Sequence, residues 1–145
     1  MHPIAKKYFD LPNEKQRKVQ IFLCEKALAV WECCVTTNRT YIETVAGTKQ
    51  ELEQVLPREA FYSVLEGQDN YSVSERYREP ICALQDEDLV LEEPALSAYY
   101  AIYNLYVSTF IDREIDSWVI VNQAIASLGV ENAIANLESA INETP

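Results

Sequence analysis

The stretch VQIFLCEKALAVWECCV, residues 19–35, decides the fold. Its apolar residues fall at Val19, Phe22, Leu23, Ala27, Val30, Trp31, Cys34 and Val35. That is the i, i+3, i+4 recurrence of one helix face. Glu14, Lys15, Lys18, Glu25 and Glu32 lie largely off the stripe. Pro12 suits the first turn, so the pattern predicts a helix over residues 12–36. Such a helix holds its shape only if its apolar face is buried against other elements.

The partners for that face read as helices too. Pro94 opens a segment running to about Ile111, in which Ala95, Ala98 and Ala101 permit close packing. Leu96, Tyr99, Tyr100, Ile102, Tyr103 and Tyr106 supply its bulk. Asp112 is the expected N-cap of the next helix, with Ile115, Trp118, Val119, Val121, Ile125 and Leu128 as its apolar set and Gly129 as its stop. A last helix is expected over about 130–142, with Val130, Ala133, Ile134, Leu137 and Ile141.

The middle of the chain carries weaker patterns. A short helix ending at Gly47 is the preferred reading of 36–48, although Thr40-Tyr-Ile-Glu-Thr-Val has strand-like composition. Thr48-Lys-Gln-Glu51 matches a capping box and is read as opening a helix with Leu52, Val55 and Leu56. Pro57 starts another, with Ala60, Phe61, Val64 and Leu65, capped by Gly67. A short helix is expected around Ser74–Leu84, and residues 85–93, with five acids, read as an exposed loop. The whole predicts an all-α chain: one helical domain over 1–145, a bundle of five to seven helices. The scarcity of glycine, at Gly47, Gly67 and Gly129 only, agrees with helices and argues against glycine-rich phosphate loops.

Phe22-Leu-Cys-Glu25, the acidic stretch Asp86–Glu93, Pro94-Ala-Leu-Ser-Ala98 and the Trp118–Leu128 helix occur in an order that resembles the YjaG-like family of uncharacterised bacterial helical proteins. The resemblance does not extend to that family's longer C-terminal region. The resemblance implies an α-helical bundle and assigns no activity to any residue.

Charge narrows the function classes. The net charge is −11, unevenly spread. Residues 1–26 hold six of the twelve Lys/Arg against three acids, and the rest of the chain holds six against twenty. An exterior of that sign repels nucleic acid and anionic lipid and attracts a basic partner. No apolar run is long enough to span a bilayer. The first ten residues lack the apolar core of a signal peptide, so a cytoplasmic location is expected, with Cys24, Cys33, Cys34 and Cys82 as packed thiols.

The chemistry-bearing residues are few. His2 is the one histidine. Ser–His and Cys–His catalysis and most zinc sites need an imidazole beside the reacting group or metal. Cys33-Cys34 is a vicinal pair without the spacing of a thiol redox motif. Asp86 and Asp88 fit positions 1 and 3 of a calcium loop, but Val90 and Leu91 fall at positions 5 and 6, where an oxygen ligand and a glycine are needed. No metal, cofactor or catalytic set is therefore expected. Tyr99, Tyr103 and Tyr106 share one helix face and serve either as outer core or as a contact surface. The expectation is a non-enzymatic protein acting through contacts with a protein partner of basic character, in one form an immunity-type protein that neutralises a basic toxin. The chosen contact residues are Tyr99, Tyr103, Tyr106, Asp86, Asp88, Glu92 and Glu93. The alternative is a self-associating structural or adaptor protein.

Overall fold

The computed structural model describes residues 2–36, 40–44, 49–77, 81–86 and 93–143. Among these described residues there are seven α-helices: α1 (Pro3–Phe9), α2 (Asn13–Cys34), α3 (Leu56–Glu66), α4 (Tyr71–Tyr77), α5 (Ala95–Phe110), α6 (Ser117–Ser127) and α7 (Ala133–Glu143). A single 3-10 turn, Val130–Asn132, leads into α7. The helical bundle expected from periodicity is there, and α2, α5 and α6 pack on one another at its centre.

The buried face of α2 is Val19, Leu23, Ala27 and Trp31, joined by Gln20, Cys24 and Leu28. Phe22 and Val30 flank it, half-buried. Against it lies the small-residue side of α5. Ala98 and Ala101 are fully buried, and Cys24 Sγ donates to the Ala101 carbonyl at 3.7 Å. A larger side chain at 101 would hold the two backbones apart. Trp31 Nε1 donates to the Gln54 carbonyl at 2.8 Å, so the largest buried ring also satisfies its one donor. Asn104 Nδ2 donates to Gln123 Oε1 at 2.8 Å between α5 and α6. Tyr8 and Phe9 bring α1 onto Trp118 of α6, with ring centroids 5.6 and 4.9 Å away.

Four local expectations are corrected. The helical bundle carries one small sheet that periodicity did not predict: Thr40–Thr44 (β1), Lys49–Leu52 (β2) and Ile81–Asp86 (β3) form an antiparallel sheet of order β2-β1-β3. Tyr41 pairs with Glu51 on one side and Gln85 on the other, and the β1–β3 register shifts between Glu43 and Thr44. The helix expected to end at Gly47 and the one expected to open at Thr48 are thus replaced at 40–44 and 49–52 by paired strands, while Gly47 and Thr48 themselves lie outside the described residues. Pairing overrides the good helix formers of Lys49–Leu52, because β1 needs hydrogen-bond partners more than that short polar segment needs a helix. The third strand begins only at Ile81, so the helix expected over Ser74–Leu84 stops at Tyr77.

The remaining corrections concern caps and thiols. Asp116, not Asp112, caps α6, accepting from the Trp118 N–H at 3.0 Å, while Asp112 accepts from Glu114 N–H in the preceding turn. Cys34 is exposed along with Cys33, because α2 ends there, and only Cys24 of the three is buried. Gly67 and Gly129 do close α3 and α6, at φ of +69° and +98°, where L side chains are strained.

Candidate functional site

The residues chosen from the sequence as a contact surface are not gathered into one. Tyr99 and Tyr106 are fully buried, which overturns their reading as partner contacts. Tyr103 is half-buried. Their i, i+4, i+7 spacing marks the inner face of α5, and Tyr77 of α4 completes an aromatic cluster with them. Its centroid is 6.3 Å from that of Tyr99, 4.9 Å from Tyr103 and 5.5 Å from Tyr106. Asp86 ends β3, with its backbone paired to Thr40. Asp88 and Glu92 lie outside the described residues. Glu93 is exposed and works locally: its carboxylate accepts from the Ser97 hydroxyl at 2.7 Å and the Ser97 N–H at 3.3 Å, steadying the first turn of α5.

Within the aromatic cluster the hydroxyls differ in fate. Those of Tyr77 and Tyr99 are buried beside each other without a hydrogen bond of good geometry, and burial raises both phenol pKa values. The Tyr106 hydroxyl instead sits in a polar knot at the start of α4. It donates to Asp69 Oδ1 at 2.6 Å and lies 2.6 Å from Ser74 Oγ. The Asn70 N–H donates to it at 3.2 Å. Hydrogen bonds from Ser74 and Tyr106 hold the Asp69 carboxyl below its ordinary range.

Two surface grooves lie away from this cluster among the described residues. One lies between α2 and α3, with a cavity of about 470 Å³ lined by Phe22, Glu25, Lys26, Arg58 and Tyr62 among others. Its charges are largely answered from within. Arg58 grips Glu32 with two hydrogen bonds, at 2.7 and 2.5 Å, and lies over the Tyr62 ring, while Lys26 lies over Phe22. The Arg58 grip holds the Glu32 carboxyl below its usual range.

The second groove lies where α1, α6 and α7 meet, with a cavity of about 160 Å³ lined by Ile4, Trp118, Ile125, Ala133, Ile134 and Leu137 among others. Ile134 is 50% exposed, and Val130, just before α7, is 75% exposed. Every charge on α6, the 3-10 turn and α7 is a carboxylate: Glu131, Glu138 and Glu143, all exposed. Chain order hides this combination, since Val130 and Ile134 read as ordinary core residues of a last helix. The available signal was the absence of any Lys or Arg after Arg113.

His2 is committed to structure: its Nδ1 accepts from the Ile4 N–H at 3.1 Å and caps α1. Among the described residues no three His, Cys, Asp or Glu side chains converge as metal ligands, and no helix is long and apolar enough to cross a membrane. No protein-family model matches the sequence, and neither curated proteins nor solved structures show a significant match to it.

Proposed function

We propose that this protein acts by binding a basic protein partner, without catalysis, through the surface formed by α6 and α7. The observation that carries the reading is the pairing of exposed Val130 and Ile134 with carboxylates alone on these elements. Apolar anchors give a contact its affinity, and a surrounding field of one sign gives it speed and partner choice. Ile134 and Glu138, four residues apart on α7, share a face, so one partner segment can meet both. An immunity-type protein that neutralises a basic toxin is the specific form this surface suits. The same negative exterior disfavours nucleic acid as a partner.

The test starts with the full chain as bait in extracts of its own host. The affinity of the captured partner is then measured at rising salt. Binding should weaken with salt and with the double substitution Glu131→Lys and Glu138→Lys, and Ile134→Ser should speed dissociation. Binding indifferent to both salt and charge reversal would remove the proposal.

A self-associated form is the second reading, favoured by one observation: Lys6 and Lys7 are exposed on α1, so the chain carries both a basic and an acidic surface. Light scattering across concentrations separates the two, since a monomer at all concentrations excludes self-association.

A further inference from the structure

A polar cavity of about 280 Å³ opens between the first half of α2, the end of α5 and the start of α6. Gln16, Arg17, Gln20, Ser108, Arg113 and Ser117 contribute to its wall. Arg17 is half-buried and donates from Nη1 to Ser108 Oγ at 3.1 Å. Among the described residues neither Arg17 nor Arg113 forms an ion pair. In a chain with 23 acids, two guanidinium groups at one cavity without a carboxylate between them are an unusual arrangement. Acids lie near both arginines in sequence, but none of Glu14, Asp112, Glu114 and Asp116 lines the cavity, and Asp112 and Asp116 accept from the Glu114 and Trp118 N–H groups. Burial makes the charge of Arg17 more costly to keep, a cost that a bound anion would offset.

The rest of the wall has spare hydrogen-bonding capacity. Gln20 is 2% exposed, and its Nε2 donates to Tyr8 Oη at 3.0 Å, whose hydroxyl donates to Ser117 Oγ at 3.3 Å. That chain leaves the Ser117 hydroxyl proton free to donate, and Gln20 Oε1 has no partner. Unpaired buried polar atoms are uncommon and call for an explanation. The N-terminus of α2 adjoins the cavity through Gln16, and Pro12, its N-cap residue, supplies no side-chain acceptor.

We propose that this cavity binds a small organic oxyanion, a carboxylate or a phosphate ester, with Arg17 and Arg113 on the anionic group and Ser117 donating to it. Arginine presents paired donors that match either oxyanion, and a partly dry cavity strengthens the contact. The cavity is large enough for a molecule of a few carbons that also carries a hydroxyl. The site shares no residue with the α6–α7 contact surface formed by Val130, Glu131, Ile134 and Glu138, so it stands or falls separately from that reading.

The experiment is an amide and arginine side-chain NMR titration of the full chain with inorganic phosphate, glycerol 3-phosphate and malate. Potassium chloride at matched ionic strength is the control. Saturable shifts at Arg17, Arg113 and Ser117 are expected with at least one probe. Response to malate alone assigns a carboxylate ligand, and response to the phosphate probes alone assigns a phosphate. The exposed Arg113→Gln should weaken binding about tenfold, the loss of one charge-assisted contact, with the far-ultraviolet circular dichroism spectrum unchanged. Shifts no larger than those from potassium chloride with all three probes, or saturation unaltered in Arg113→Gln, would overturn the proposal.

Discussion

The hydroxyl of Tyr106 donates to the carboxylate of Asp69 at 2.6 Å, tying the middle of α5 to the residues that open α4. The same Asp69 oxygen accepts from Ser74, so one carboxylate joins a buried tyrosine to the first turn of a short helix. A seven-residue helix does not persist alone. Its place is set by this knot and by Val73 and Tyr77, which it buries against the core.

Tyr106→Phe should therefore destabilise the protein by about 1–2 kcal/mol, the range for a lost hydrogen bond to a partly solvated charged acceptor. Urea unfolding measures the loss. Amide exchange should quicken first at residues 71–77, and uniform loss across the chain would assign the effect to α5 instead.

Asp69 gives the knot a pH dependence. Its folded pKa is depressed, so the stabilisation is complete above the ordinary carboxylate range. It disappears as pH falls below about 4 toward the folded value. Wild type should be more stable than Asp69→Asn at neutral pH, with the gap narrowing on acidification below that point. A gap that widens in acid would contradict the linkage.

The buried tyrosine hydroxyls make opposite predictions from the same helix. Tyr99→Phe removes a buried hydroxyl that has no hydrogen bond of good geometry, so stability should hold or rise. Tyr99→Ala removes a ring that is fully buried against Trp31, at 5.4 Å between centroids, and should cost about 3–5 kcal/mol. Thermal unfolding of both variants checks the contrast. A loss from Tyr99→Phe comparable to that from Tyr106→Phe would mean that the Tyr99 hydroxyl is hydrogen-bonded in solution.

Thiol labelling tests the end of α2. Cys33 and Cys34 are exposed, and Cys24 is buried with its thiol pKa pushed up by burial. Iodoacetamide at neutral pH should modify Cys33 and Cys34 in the folded protein, while Cys24 reacts only after denaturant is added. Peptide mass spectrometry resolves the positions. Early labelling of Cys24 would show that α2 and α5 separate readily.

Much of the helical body was legible because its signals are local. The apolar recurrence in residues 19–35 made α2 visible, Pro57 and Gly67 bracketed α3, and Gly129 stopped α6. The sheet was not legible in the same way. Thr40–Thr44 has the β-branched composition of a strand, but one partner is the polar Lys49–Leu52 and the other starts at Ile81. The tyrosines were ambiguous for a related reason: spacing tells which residues share a face, not whether that face looks inward. Asp112 and Asp116 are equally good caps by type, and the turn at 113–116 chose between them.

Sequence alone determined the helices with their punctuation, the strongly negative charge and the shortage of imidazole, because each follows from residue type and near-neighbour spacing. Tertiary structure decided what lies side by side: the pairing of β1 with β3, the burial of Tyr99 and Tyr106, and the meeting of Arg17 with Ser108, Arg113 and Ser117 around one cavity. Those relations join positions tens of residues apart. Packing and hydrogen bonding between distant segments select them, and no local propensity encodes that choice.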